Sequence, residues 1–239
     1  ARALTQVLRA VTRIACPAVA FKAEAIVAPT KLLPYRGTGA YRGKVSDLAY
    51  HNSLMVQIWS MLAARDVRLA AHALGNLPSK PLAATWLTYV RCHDDIGWAI
   101  MDEDAGAVGL SGHAHRSFLW HWYAGDHFGS PARGLVFQYN PETDDGRTSG
   151  TAASLIGLQS AGSAAEVESA AAALRLANAM VLGWGGIPVI WSGDELGQPN
   201  DPRWAQGAGH GGGSRWAHRP RLDWERAEHR HDRTTTAGR

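Results

Sequence analysis

The sequence predicts an α/β fold built on parallel strands, and two observations predict it. Short apolar runs rich in β-branched and aromatic residues alternate with longer segments of helical period, and a parallel connection needs a crossover of that kind. Each apolar run also leads into charge. Ala18-Val19-Ala20-Phe21 is followed by Glu24, Trp86-Leu87-Thr88-Tyr89-Val90 by Arg91-Cys92-His93-Asp94-Asp95, and Ile187-Pro188-Val189-Ile190-Trp191 by Gly193-Asp194-Glu195. Chemistry gathered at strand C-terminal ends is the polarity of both α/β barrels and doubly wound sheets.

Taken in order, Leu4, Val7, Leu8, Val11 and Ile14 fall at helical spacing, so the chain opens inside an amphipathic helix with no capping signal before it. With Ala1 in place of Met, and a polar stretch from Leu222 to Arg239 that ends without a closing element, the pattern is that of a cut or processed chain. After Pro17 the first short strand is expected to be buried. Residues 29–45 are punctuated by Pro and Gly and read as loop, whereas Leu54, Met55, Ile58, Trp59 and Leu62 restore a helical period over 50–65. Residues 96–160 sustain no regular alternation. Helical pieces around 116–122 lie among Gly, Asp and Pro turns there, which predicts a long elaborated insertion. An Ala-rich helix over 164–181 and Gly185-Gly186 then precede the last strand.

Composition narrows the function. The chain has 239 residues, 46% hydrophobic and 19% charged, which excludes a disordered chain, a collagen-like rod or a coiled coil. A formal charge of +3 is spread without a basic block, so nucleic acid is not an expected partner. No apolar run approaches the roughly 20 residues that span a bilayer, and no membrane association is expected. Cys16 and Cys92 match no zinc spacing and build no disulfide framework, so a reducing, cytoplasmic setting is expected. There is no G-x-G-x-x-G or G-x-x-x-x-G-K-[ST] pattern in strand-to-helix context, which sets nucleotide-binding open sheets behind the barrel.

Glu24, Asp94, Asp95, Asp194 and Glu195 all follow apolar strands. Paired carboxylates over one cavity are what glycosidic chemistry requires: one protonates a leaving oxygen while others oppose developing positive charge. In retaining enzymes the acid/base and the nucleophile stand about 5 to 5.5 Å apart. Strand-end acids also cap helices and hold loops, and that structural reading is preferred for Asp194-Glu195. His93 reads either as a satisfied core histidine or as a general base. The H-x-H pairs His113/His115 and His229/His231 read as solvated turns, no metal or cofactor is expected, and most of the tryptophans read as core or lining residues.

Cys92-His93-Asp94-Asp95-Ile96-Gly97-Trp98 resembles the α-amylase superfamily of glycoside hydrolases, and more narrowly its amylosucrase branch. The likeness continues through Asp102-Glu103-Asp104, Ser111-Gly112, His115-Arg116, Phe118, Ala132-Arg133-Gly134, Phe137-Gln138-Tyr139-Asn140-Pro141, Arg147, Ser149-Gly150-Thr151-Ala152-Ala153 and Ser214-Arg215-Trp216-Ala217-His218-Arg219-Pro220. Upstream, Phe21-Lys22-Ala23-Glu24-Ala25-Ile26-Val27 fits the same branch.

The resemblance implies the C-terminal half, strands five to eight, of a (β/α)8 (TIM) barrel spanning residues 1–239, with an insertion over 96–160 after strand seven. It implies a sucrose-acting, retaining α-glucosyltransferase that moves glucose to an α-1,4-glucan and releases fructose, with sucrose and glucan as the partners. Glu24 would be the general acid/base and Asp94 would stabilise the transition state. His93 would bind the glucose ring, Asp95 with Arg147 the fructosyl unit, and Arg215 would close the pocket floor. Arg116 and Phe118 would shape the acceptor path. The family's nucleophilic aspartate ends the fourth strand, so no residue here is assigned that role and the chain alone is expected to be inactive. Cys92 stands where the branch usually has serine, and a Gly-rich 206–214 replaces a more acidic loop. A sucrose hydrolase of the same superfamily and a non-catalytic sugar-binding remnant are the alternative readings.

Overall fold

The computed structural model describes residues 2–210 and 212–239. Four strands, β1 (Lys22–Ala23), β2 (Leu48–Tyr50), β3 (Thr85–Tyr89) and β7 (Ile187–Val189), form one parallel sheet in the order β1-β2-β3-β7. Helices separate them, and the one over Pro29–Arg36 falls in the stretch whose Pro and Gly read as loop. Helix α1 (Arg2–Ala15) precedes β1; α2 (Pro29–Arg36) lies between β1 and β2; α3 (Asn52–Ala64) and α4 (Arg68–Gly75) lie between β2 and β3.

Two expectations about the strands need correcting. The first strand begins at Lys22, not Ala18, and Ala18 and Ala20 are exposed; the segment meets the start of β2 at Phe21, whose carbonyl accepts from the Asp47 and Leu48 N–H groups and whose N–H donates to the Asp47 carboxylate. β2 has three residues, too few to show any period, and it falls between the loop expected over 29–45 and the helix expected over 50–65, taking Tyr50 from the latter.

Local chemistry explains the helices. His51 caps α3 by accepting from the Leu54 N–H, and Leu54, Met55, Ile58 and Trp59 are buried beneath it. Helix α8 (Ala164–Gly183) starts with a capping box in which Ser163 and Glu166 satisfy each other's backbone N–H. Its small residues, including Ala170, Ala171 and Ala177, are buried, and the Thr88 hydroxyl donates to the Val181 carbonyl at 3.1 Å. Gly185 and Gly186 then turn the chain into β7 at φ of 91° and 112°. A Cβ on Gly186 would meet the Trp86 carbonyl oxygen at 2.7 Å, so only glycine fits.

The insertion holds an antiparallel sheet that showed no alternation in sequence. Its strands β4 (Ile96–Gly97), β5 (Leu135–Asn140) and β6 (Asp145–Ser149) run in the order β4-β6-β5, with α5 (Asp102–Ala107) and α6 (Gly112–Ala124) between β4 and β5 and α7 (Ala152–Leu155) after β6. A bulge between Phe137 and Asn140 interrupts β5 and breaks its alternation. The insertion is not separate from the sheet's core. Trp98, Leu119 and Tyr123 share one apolar cluster with Ile58, Trp59 and Val90, and the Tyr123 hydroxyl donates to the Trp59 carbonyl at 2.6 Å. Beyond β7 come short 3-10 turns at Asp194–Leu196, Trp204–Gln206 and Ser214–His218, then α9 (Trp224–Glu228). Within the Gly-rich 206–214, Gly211 lies outside the described residues. No described helix is long and apolar enough to cross a membrane.

Candidate functional site

Parallel strands put their C-terminal ends on one edge, and there β1 and β3 deliver side chains some seventy residues apart in sequence to one place. Glu24 follows β1 directly; His93 and Asp94 sit in the turn between β3 and β4. A ligating atom from each of the three lies within 4.8 Å of the others. His93 Nε2 is 3.6 Å from Asp94 Oδ2, and its ring stacks at 5.9 Å on Trp191, which follows β7. Tyr50 and Asn52 from the β2–α3 junction, with Ile26, Met55, Tyr89, Cys92 and Asp95, line a small cleft against Glu24, His93 and Asp94. Burial pushes the Cys92 thiol pKa up, so it is a protonated wall of this cleft.

An arginine layer lies against the two aspartates. Arg215 forks between them, with Nη1 at 3.2 Å from Asp94 Oδ1 and Nε donating to Asp95 Oδ1 at 2.7 Å. Arg219 approaches the same Asp94 oxygen at 3.5 Å, and Arg147 donates to Asp95 Oδ2 at 3.2 Å. The Asp95 side chain is 1% exposed with both oxygens on arginines, so it serves as the counter-charge that fixes Arg147 and Arg215. The Arg215 guanidinium also stands over the Phe137 ring at 4.8 Å, which restricts its plane.

His218 and Arg219 hold the turn from below. Gly150 N–H donates to His218 Nδ1 at 3.1 Å, so the proton is on Nε2, which donates to the His93 carbonyl at 3.0 Å. Arg219 Nε donates to that same carbonyl at 2.7 Å. Burial, with Arg91 and Arg219 nearby, lowers the His218 pKa to about 4 and keeps the ring neutral. Deeper still, Arg91 Nε donates to both oxygens of Asp194 at 2.9 and 2.7 Å, and its Nη1 donates to the His218 carbonyl at 3.0 Å. Burial opposes both charges of this pair, raising the Asp194 pKa and lowering that of Arg91, while each partner works against the other's shift. Asp194 is a structural ion, as its sequence reading preferred.

Arg116 stands to one side. It donates to the Ile100 carbonyl and to Asp102, both at 2.8 Å, and it lines a cleft of about 320 Å³ with Ile26, Gln138, Asn140 and Arg147. This cleft adjoins the site through Ile26 and Arg147. Phe118 is not brought there: on α6 it packs against His115, Trp122 and His127, on the far side of that helix from Arg116's partners. His113 and His115 also diverge, one to the Thr143 carbonyl and the other to the Ser60 hydroxyl. A larger cleft, about 580 Å³ between α3, α6 and α8, has Glu166 as the one carboxylate among its described lining residues and lies away from the strand ends.

Sequence reasoning missed the structural roles of Arg91, Trp191, His218 and Arg219. His218 and Arg219 sit in the same short motif as Arg215, which was the available signal; their common target, the His93 carbonyl, carries none. No family model matches this chain.

Proposed function

We propose that the parallel sheet is the second half, strands five to eight, of a (β/α)8 catalytic barrel, and that its strand-end cluster is the glucosyl-binding part of a sucrose-acting, retaining α-glucosyltransferase site of the amylosucrase kind. The observation that carries this reading is the convergence of Glu24, His93 and Asp94 within 4.8 Å from two different strands. Glu24, exposed at the cleft, is placed to protonate a fructosyl leaving oxygen and later to take a proton from an acceptor hydroxyl. Asp94, oriented by Arg215 and Arg219, opposes positive charge developing at the sugar's anomeric carbon. His93 and Trp191 offer a ring nitrogen and an aromatic face to the glucosyl unit. The roughly 320 Å³ cleft through Arg147 and Arg116 continues from this point as an acceptor path, where transfer and hydrolysis would part ways.

A second reading is favoured for the chain acting by itself. Double displacement needs a nucleophile besides the acid/base and the stabilising aspartate. Among the described residues the remaining carboxylate beside the pair is Asp95, and its two oxygens are taken by Arg147 and Arg215. The chain is therefore proposed to recognise a glucosyl unit without transferring it. Incubation with sucrose should release no fructose, while calorimetric titration with sucrose should show binding that Asp94→Asn weakens at least about tenfold. Sustained fructose release sinks the second reading, and the absence of sugar binding sinks both.

A further inference from the structure

Helix α2 buries two side chains four residues apart, Leu32 and Arg36, and the second is a cation. Arg36 is 1% exposed, and its Nε, Nη1 and Nη2 atoms are all buried without a hydrogen-bond partner among the described residues. The guanidinium lies over the Trp86 ring at 4.0 Å, and His51 stacks on the same ring at 4.1 Å. His51 Nδ1 accepts from the Leu54 N–H at 3.2 Å, so the proton is on Nε2, which is buried and likewise unpartnered among the described residues. The layer between α2 and the sheet is therefore rich in buried donors and short of acceptors. Charge adds to the deficit. Burial lowers the Arg36 pKa only to about 10, so the group stays protonated at neutral pH. Arg36 lines a cavity of about 10 Å³ with Trp86, Lys80 and apolar residues of 29–33 and 77–78, and no carboxylate is among the described lining residues. Lys80 brings a second positive charge, its ammonium donating to the Ala84 carbonyl at 2.8 Å.

We infer that this cavity binds one small inorganic anion of halide size, held by the Arg36 guanidinium beside the Trp86 ring. Three features select that occupant. The first is charge. A buried guanidinium needs both acceptors and a counter-charge; a water molecule supplies lone pairs but leaves the charge uncompensated, whereas an anion supplies both. The second is size. A cavity of about 10 Å³ is at the lower limit for one water-sized body, which excludes phosphate and any ligand with a carboxylate. The third is enclosure. The walls come from α2, β3 and residues 77–80, and every guanidinium nitrogen is already shut off from solvent, so a further segment of polypeptide has no room to reach it. The His51 N–H does not line the cavity, but it lies against the same indole and shares the shortage of acceptors, so the anion's field favours it too. The site owes nothing to the strand-end carboxylates, and it stands whether or not the sugar reading does.

Urea unfolding of the 239-residue chain at neutral pH tests this, with sodium chloride replacing sodium gluconate from about 1 to about 100 mM at constant ionic strength. The parent's unfolding equilibrium constant should fall at least about tenfold over that range, the factor given by a Kd of about 10 mM or tighter. Bromide should replace chloride, and phosphate should not. Arg36→Met, which removes the guanidinium and keeps an apolar stem over Trp86, should respond less than about twofold, so its stability advantage in gluconate shrinks as chloride rises. Because the variant is compared with itself across the two salts, general effects of the anions on unfolding cancel. A crystal of the parent chain soaked in bromide should show an anomalous peak in contact with the Arg36 guanidinium. Equal responses of parent and variant overturn the inference, as does a parent that chloride does not stabilise, a parent that phosphate stabilises as well as chloride, or a soaked crystal with no bromide at Arg36.

Discussion

Acidification should destabilise this chain steeply, and His218 is the group through which the effect can be isolated. Its ring is 1% exposed, accepts from Gly150 N–H through Nδ1 and donates from Nε2 to the His93 carbonyl. A second proton would place an N–H against the Gly150 N–H and a charge where burial and two arginines resist it, which is why the folded-state pKa falls from 6.5 to about 4. Since the unfolded chain holds the proton more tightly, stability is fully present above about pH 6.5 and is lost as pH falls toward 4. Linkage over that interval gives about 2 kcal/mol lost between pH 7 and pH 5, and about 3 kcal/mol once both states are protonated. His51, also buried with a pKa lowered to about 4, adds a loss of similar size. The assay is urea unfolding followed by tryptophan fluorescence at pH 7, 6 and 5, on the parent chain and on His218→Gln, whose amide can accept and donate without titrating. The variant should lose about 2 kcal/mol less than the parent between pH 7 and pH 5. Equal losses would refute the assignment of His218 as a buried neutral latch.

Three further outcomes are expected. Arg91→Met leaves the buried Asp194 without its partner and should cost about 3–5 kcal/mol, whereas Arg91→Met with Asp194→Leu should recover most of that in the same urea titration. Arg36 is 1% exposed, its three guanidinium nitrogens have no hydrogen-bond partner among the described residues, and it rests over the Trp86 ring at 4.0 Å. Arg36→Met, which keeps the packing and drops the buried charge, should therefore raise stability by about 1–3 kcal/mol, read as a higher urea midpoint. Gly186→Ala should lower stability by about 2–4 kcal/mol, because its φ of 112° and the close Trp86 carbonyl both exclude a Cβ; an unchanged melting temperature would contradict the turn geometry.

The parts of the fold legible in sequence were those with a sustained period or a chemically explicit end. Helix α3 showed its apolar spacing and α8 its alanine run, and β3 and β7 were visible as compact apolar runs. The parts that were not legible have definite physical reasons. β2 is only three residues long, and its identity as a strand comes from pairing with Lys22–Ala23 on one side and Thr85–Leu87 on the other. β5 and β6 hide because a bulge shifts their register, and most of β5 is solvated. In the site, Glu24, His93 and Asp94 could be picked out by their position after strands, whereas Phe118, equally prominent in sequence, turns to an aromatic cluster on its own helix.

By itself the sequence determined the periodicities, the alternation of strand and helix, and the placing of carboxylates after strands, because these are properties of neighbouring residues and survive without any partner. Tertiary structure alone decided which of those carboxylates meet. Parallel pairing brought Glu24 to Asp94, Arg215 and Arg147 engaged both oxygens of Asp95 at the wall of the cleft, and burial against Arg91 made Asp194 a structural ion. Each outcome depends on distances and dielectric surroundings that arise only when segments tens of residues apart are packed together.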